Sequence, residues 1–222
     1  MKVGLISDVH GNLVALEAVL AEMPPVDEVL CAGDVVGYNP WPGECIDELR
    51  GRDVPTVMGN HDAAVVGDAP FRFSGMARAG VEHAESVLSG AQLEWLESLP
   101  IERTECDGRV KLVHGHPDDP DRYTRYTYPK EFSPRMLGDE DVLVLGHTHV
   151  QGASQYAEGI VVNPGSVGQP RDGDPRAGYA VVDLEALTVD THRVEYDIEA
   201  VQSAVAETDL PEQIGGRLSR GK

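Results

Sequence analysis

Residues 3–12 read VGLISDVHGN: four apolar or small residues run into Ser7, Asp8, Val9 and His10, and Gly11-Asn12 then breaks the pattern before a helix-like run begins at Leu13. The pattern predicts a buried strand that ends in polar side chains. In an extended chain successive side chains alternate faces, so Asp8 and His10 are expected to point one way and Val9 back into the core. A lone Asp-x-His is more often a hydrogen-bonded loop than a metal site. Its weight depends on whether other strands end in the same manner.

They do. Residues 28–32 form a second apolar run that closes on Gly33-Asp34, and residues 54–58 a third that closes on Gly59-Asn60-His61-Asp62. A fourth, 109–113, leads to His114-Gly115-His116, and a fifth, 141–145, to Gly146-His147-Thr148-His149. Further strands are expected at 160–162, 179–183 and 189–194. Between them lie helical patterns: 13–23, stopped by Pro24-Pro25; 41–50; and two helices within 63–100. Ser74 is the expected cap of the first of these, with a buried stripe of Ala77, Val81, Ala84 and Leu88. Ser89 and Gln92 have the spacing of a capping box for the second. His83 falls inside a helix and reads as structural. A short helix is expected at 198–205. Strands alternating with helices give an α/β fold, read as one domain over 1–214 with a frayed, disordered tail over 215–222.

With 222 residues, 41% of them hydrophobic, the chain can bury a substantial core. The first apolar run is too short for a leader or a membrane span, which points to a cytoplasmic protein. Three cysteines, Cys31, Cys45 and Cys106, form no C-x-x-C pair and read as reduced small hydrophobes. The net charge of -20 comes from 38 acidic residues spread along the chain against 18 basic ones, fourteen of which are arginine. This balance suggests a halophilic protein of a high-salt cytoplasm, where self-repulsion is screened. It argues against non-specific binding of duplex nucleic acid. Against that background the loop 117–132 stands out, with Tyr123, Tyr126 and Tyr128 beside Arg122 and Arg125. It reads either as a rim for an anionic ligand, to which Tyr123 and Arg125 would contribute, or as a loop packed by its own tyrosines.

Six of the eight histidines, His10, His61, His114, His116, His147 and His149, lie at or just beyond strand ends, together with Asp8, Asp34 and Asn60. In α/β sheets the carboxyl ends of strands are where ligand sites form, so five such ends can converge on one cleft. Carboxylate, amide and imidazole donors without thiolate suit Mn²⁺, Fe, Ni²⁺, Co²⁺ or Zn²⁺, and seven or more donors are too many for one ion. Two ions sharing a carboxylate fit the count.

The ordered blocks Asp8-Val9-His10, Gly33-Asp34, Gly59-Asn60-His61-Asp62, His114 and Gly146-His147-Thr148-His149 resemble those of the calcineurin-like metallophosphoesterases. The loop Asn163-Pro164-Gly165-Ser166 is similar to one in the small bacterial and archaeal phosphodiesterase-like branch, and the resemblance spans about residues 2–195. It implies a four-layer α-β-β-α sandwich with two mixed β-sheets. It implies that Asp8, His10, Asp34 and His149 hold one divalent ion and Asp34, Asn60, His114 and His147 a second, manganese being favoured. It implies hydrolysis by a hydroxide bridging the two ions, with His61 no ligand but set over the leaving oxygen to donate a proton or stabilise its charge; Asp62 is a candidate orienter. His116 has no counterpart and is placed behind the ligands or at the surface. The protein phosphatase branch continues Gly-Asp into Asp-Arg-Gly, whereas this chain reads Gly33-Asp34-Val35-Val36-Gly37-Tyr38. Without that arginine a small soluble phosphodiester is the expected substrate, although Arg122, Arg125 or Arg171 are possible replacements. The alternatives are a phosphomonoesterase and a catalytically idle scaffold that binds proteins; the complete set of motif residues favours an enzyme. A homo-oligomer is open.

Overall fold

The computed structural model describes residues 1–67, 73, 75–121 and 123–222. Strand β1 (Lys2–Ile6) pairs in parallel with β2 (Glu28–Cys31), and the two are linked by helix α1 (Leu13–Glu22), whose first free backbone amides are met by the Asn12 side chain, accepting from Ala15 N at 3.1 Å. Helices α2 (Pro42–Gly51), α3 (Asn60–Val65), α4 (Gly75–Val87) and α5 (Gly90–Glu97) follow. The capping box at α5 is present, with Ser89 and Gln92 bonded in both directions. The expected cap of α4, Ser74, lies outside the described residues.

The second half supplies β3 (Glu102–Glu105), β4 (Val110–Val113), β5 (Val142–Val144), β6 (Gly152–Gln155), β7 (Ile160–Asn163), β8 (Ala177–Asp183) and β9 (Thr188–Val194), then α6 (Ile198–Ala206) and α7 (Gln213–Leu218). Two mixed sheets result, ordered β2-β1-β8-β9 and β3-β4-β5-β7-β6. They face each other across a core that includes Val3, Leu5, Leu30, Leu112, Val142, Val144, Val162 and Val182. Behind the first sheet, Ile6 packs with Leu16 and Val19 of α1 and Ile46 and Leu49 of α2. Behind the second, Leu143, Leu145 and Val161 lie beneath Phe132 and two 3₁₀ turns, Pro129–Glu131 and Pro134–Met136. Strand β5 is buried on both faces, which is why it reads Val-Leu-Val without alternation. At about 1.5–3 kcal/mol for each fully buried aliphatic side chain, the inter-sheet layer and the layer between the first sheet and its helices are the two main sources of cohesion.

Three expectations are corrected. Residues 54–58 form no full strand: Thr56 makes one isolated bridge to Cys31, because Pro55 lacks the amide needed to extend a ladder. Strands β3 and β6 escaped the sequence reading; both are sheet edges, with sequences ERTE and GASQ that carry no apolar alternation. The end of the chain is folded rather than frayed, since Ile214 and Leu218 present one face of α7 to Val201 and Val205 of α6 and to Leu210. Tyr38 packs in this same cluster, so the C-terminal helices support a residue next to the histidines described below. Among the described residues no helix is long and apolar enough to cross a membrane.

Candidate metal centre and active site

The polar residues after the strands do not continue the pleat. β1 ends at Ile6, and Asp8 and His10 both adopt left-handed backbone conformations, φ 53° and 49°. Asp34, His147 and His149 do likewise, at 54°, 68° and 58°. The expectation that strand alternation aims these side chains is therefore corrected: they converge because the chain turns left-handed at each of them. For non-glycine residues this conformation costs about 1–3 kcal/mol apiece and persists only where the surroundings impose it. Here the loops are stitched together. Asp8 N donates to Gly33 O and His10 N to Asp34 O, both at 2.9 Å, while Ser166 Oγ donates to Asp8 O at 2.7 Å. Asn163 Nδ2 donates to Gly146 O at 2.7 Å, so the Asn-Pro-Gly-Ser loop braces two of the polar turns. Gly59 permits a close approach: a Cβ there would lie 2.1 Å from Asp34 Oδ1.

All seven expected donors come together, buried. Asp8, His10, Asp34 and His149 each offer an atom within 4.8 Å of the others. His10 Nε2 is 3.5 Å from Asp34 Oδ2, and His149 Nε2 is 3.3 Å from Asp8 Oδ1. On the other side of Asp34, His114 Nε2 lies 3.3 Å from Asp34 Oδ2 and 3.2 Å from Asn60 Oδ1. The His147 ring stands 5.2 Å from that of His114.

The donor set fits divalent cations. His10, His114 and His149 each point Nδ1 at a backbone carbonyl, of Val36, Ala32 and Gln169, at 3.0, 2.7 and 2.6 Å. Donation from Nδ1 turns Nε2 of each ring into the cluster and, in the neutral rings of His10 and His149, leaves it as a lone pair, the orientation usual for ligating histidines. His10 Nε2 and His149 Nε2 then face each other at 3.1 Å with no proton between them, beside two carboxylates. His147 Nε2 is buried with no hydrogen-bond partner among the described residues. Such atoms are costly unless a positive charge is shared among them.

The electrostatics agree. Burial, helped by the charge of Asp34 and opposed by His114, pushes Asp8 up to about 7. Burial also acts to raise Asp34, but the charges of His114 and His61 outweigh it and hold that carboxyl well below its usual range. For His114 burial is overcome by Asp34, through charge and hydrogen bond, and by Asp8, so it rises to about 9. Burial drives His10 and His149 well below the ordinary imidazole value and His147 to about 3. The two groups pushed toward the protonated form, Asp8 and His114, flank the carboxyl held most strongly ionised, Asp34.

A cavity of about 260 Å³ opens over this cluster, lined by Asp34, Asn60, His61, His147 and His149 and walled by Tyr38, Phe73 and Tyr126, with Arg171 at its edge. His61 Nδ1 is buried with no partner among the described residues, its ring stacked on Phe73 at 4.4 Å, and burial lowers it to about 4. Gly37 leaves it room, since a Cβ there would come within 2.4 Å of His61 Nδ1. Asp62 does not orient His61: its carboxylate accepts from Val35 N, Val36 N and Gly59 N, tying two loops together. Arg171 is held from behind, Nη2 donating to Gln169 Oε1 at 2.6 Å and to Tyr38 Oη at 3.1 Å.

The expected rim is also corrected. Tyr123 is buried, its hydroxyl donating to Met58 O at 3.2 Å, and Arg125 lies 3.7 Å from Asp118 in a neighbouring cavity. Arg122 is outside the described residues. The member of that loop in the site is Tyr126, stacked on His147 at 4.4 Å. Tyr38 and Phe73 were missed, because an isolated aromatic carries no sequence signal of this role. His116 lines the neighbouring cavity, and His83 contacts Pro40 O at 3.2 Å.

A family model described as the calcineurin-like phosphoesterase superfamily domain matches residues 1–187. An uncharacterised protein of Methanocaldococcus jannaschii is 32% identical, covering 99% of this chain and 98% of its own. The phosphodiesterase YfcE of Escherichia coli is 29% identical over 85% of this chain and 91% of its length. Among solved structures, a metallophosphoesterase from Sphaerobacter thermophilus superimposes with a TM-score of 0.85 at 37% identity, covering 100% of this chain and 99% of that one.

Proposed function

The chain belongs to the calcineurin-like phosphoesterase superfamily and is a phosphoester hydrolase, and from that premise we propose that it cleaves phosphodiesters at a centre of two divalent transition-metal ions, manganese favoured. Asp8, His10, Asp34 and His149 would hold one ion, and Asp34, Asn60, His114 and His147 the other. The observation that carries the reading is the pair of locked imidazoles, His10 and His149, whose Nε2 lone pairs meet at 3.1 Å next to Asp8 and Asp34.

Bound ions of this kind supply Lewis acidity, making a water nucleophilic near neutral pH and offsetting charge on phosphoryl oxygens. The protein's own groups do the rest. Arg171 is the one arginine or lysine lining the cavity among the described residues, and it can donate to a non-bridging phosphoryl oxygen. His61, which lines the cavity, would donate through its ring N–H to the leaving oxygen, passing it a proton or stabilising its charge. Tyr38, Phe73 and Tyr126 provide aromatic walls on either side of the phosphorus position, exclude water and suit two ester arms better than the hydrated dianion of a monoester. A hydrolysis panel of matched mono- and diesters, run with Mn²⁺, Ni²⁺, Co²⁺ and Zn²⁺, tests this. Diesters should be the better substrates; a consistent preference for monoesters would overturn it.

A further inference from the structure

Beside the catalytic cavity lies a second one, of about 370 Å³, lined by His116, Asp118, Arg125, Tyr126, Thr127, Glu131, Arg135 and Met136. The proposed reaction leaves it without a role. Tyr126 is common to both cavities and is their partition: its ring stacks on His147 at an interplanar angle of 22°, yet 55% of the residue stays exposed. A phosphodiester has two ester arms. Were its phosphorus placed among His61, His147, His149 and Arg171, an arm on the His61 side would run beside Phe73 and an arm on the His147 side beside Tyr126.

We propose that the second cavity is a nucleoside subsite, which holds the non-leaving arm of a nucleotide diester against Tyr126; the proposal refines the phosphodiesterase reading by naming a substrate class.

The lining selects among possible arms. Two arginines are matched by two carboxylates, Asp118 and Glu131, so the cavity carries no net charge to attract a second phosphate. The Arg125–Asp118 contact, at 3.7 Å, is loose, and Arg135 forms no ion pair among the described residues. Both guanidinium planes are therefore free to lie over a flat ring. Glu131 uses one oxygen, Oε2, to accept from Tyr128 N at 2.9 Å, leaving Oε1 as an acceptor. His116 Nδ1 accepts from Asp118 N at 3.1 Å, which fixes the neutral ring with its proton on Nε2 as a donor. Thr127 adds a hydroxyl and Met136 a polarisable apolar contact. An aromatic face, two guanidinium planes and a mixture of donors and acceptors suit the π-face and polar edge of a base together with ribose hydroxyls. An alkyl or acyl arm would leave these polar groups unpaired, and a sugar phosphate would meet the carboxylates. The volume lies in the range of small-molecule sites, about 300–1,000 Å³.

The test has two arms. In the first, thymidine 5′-(p-nitrophenyl phosphate) and methyl p-nitrophenyl phosphate are compared, since they share a leaving group and differ in the retained arm. The nucleoside substrate should have the higher kcat/KM, and Arg135→Ala and Tyr126→Ala should each cut that preference by about 5- to 150-fold, the span of stacking losses seen on alanine substitution, with the change mainly in KM. Tyr126→Phe should restore it. In the second, phosphate-free adenosine, guanosine, cytidine and thymidine are titrated into the protein by saturation-transfer NMR. Millimolar binding that weakens in Arg135→Ala, with near-ultraviolet circular dichroism unchanged, supports the subsite. Equal kcat/KM for the two esters, or nucleoside binding indifferent to both alanine variants, overturns it. Nucleoside binding without diester turnover would retire the phosphodiesterase reading and keep the subsite; diester turnover without nucleoside preference would do the reverse.

Discussion

Replacing Arg171 by glutamine removes the one fixed cation lining the catalytic cavity among the described residues and leaves its supports in place. The Nε and Nη2 donors of Arg171 are committed to Gln169 Oε1, and Nη2 also to Tyr38 Oη, while its guanidinium lies 5.5 Å over the Tyr38 ring. Nη1 has no partner among the described residues and keeps two donors for a phosphoryl oxygen. Hydrogen bonds to charged groups contribute about 1.5–3 kcal/mol net, so loss of this contact should lower kcat/KM for a phosphodiester about 10- to 150-fold. Arg171→Lys should recover only part of it, because an ammonium cannot keep the fork with Gln169 and Tyr38 while donating forward. The assay is steady-state hydrolysis of a diester, paired with metal content and competitive inhibition by inorganic phosphate, which should weaken in parallel. A variant within twofold of the wild type in kcat/KM and in phosphate inhibition would refute the reasoning. An equal loss accompanied by loss of metal would show instead that Arg171 supports the ligands.

His61→Ala should keep its metal ions and lose about 10²–10⁴ in turnover, with aryl diesters such as bis-p-nitrophenyl phosphate suffering less than alkyl or nucleotide diesters, as removal of a proton donor requires. Undiminished activity toward a poor leaving group would leave the hydrolase standing and this role of His61 wrong. The net charge of -20 predicts that the fold needs salt near molar: circular dichroism in dilute buffer should show lost structure, and the melting temperature should climb with added salt. A full native signal and salt-independent melting would make the acidity incidental.

The parts of this fold that were legible in the sequence are those under strong hydrophobic constraint. The runs at β1, β4 and β5 are apolar because they are buried, and each leads directly to a donor residue, so the five polar blocks could be placed on one side of the sheets before any coordinates. Edge strands β3 and β6 carry no such constraint and were invisible. The means of convergence was hidden as well: Asp8, His10, Asp34, His147 and His149 turn left-handed, a conformation imposed by the bracing loops and not by the residues themselves. The aromatic walls depended on long-range packing. Tyr126 and Tyr123 are three residues apart in one loop, and only the fold sends the first to His147 and the second inward to Met58. Position at the chain end likewise hid α7, whose two glycines are poor helix formers although Ile214 and Leu218 anchor it.

The proposed dinuclear centre is tested most directly by elemental analysis of the protein after saturation with Mn²⁺ and removal of excess ion, alongside Asp34→Asn. Asp34 lies within 3.5 Å of His10 Nε2 and 3.3 Å of His114 Nε2, between the two proposed positions. The wild type should hold two ions per chain and lose activity in chelator, and Asp34→Asn should lose affinity at both positions together. A saturated wild type with an intact fold that holds one ion or none would contradict the account.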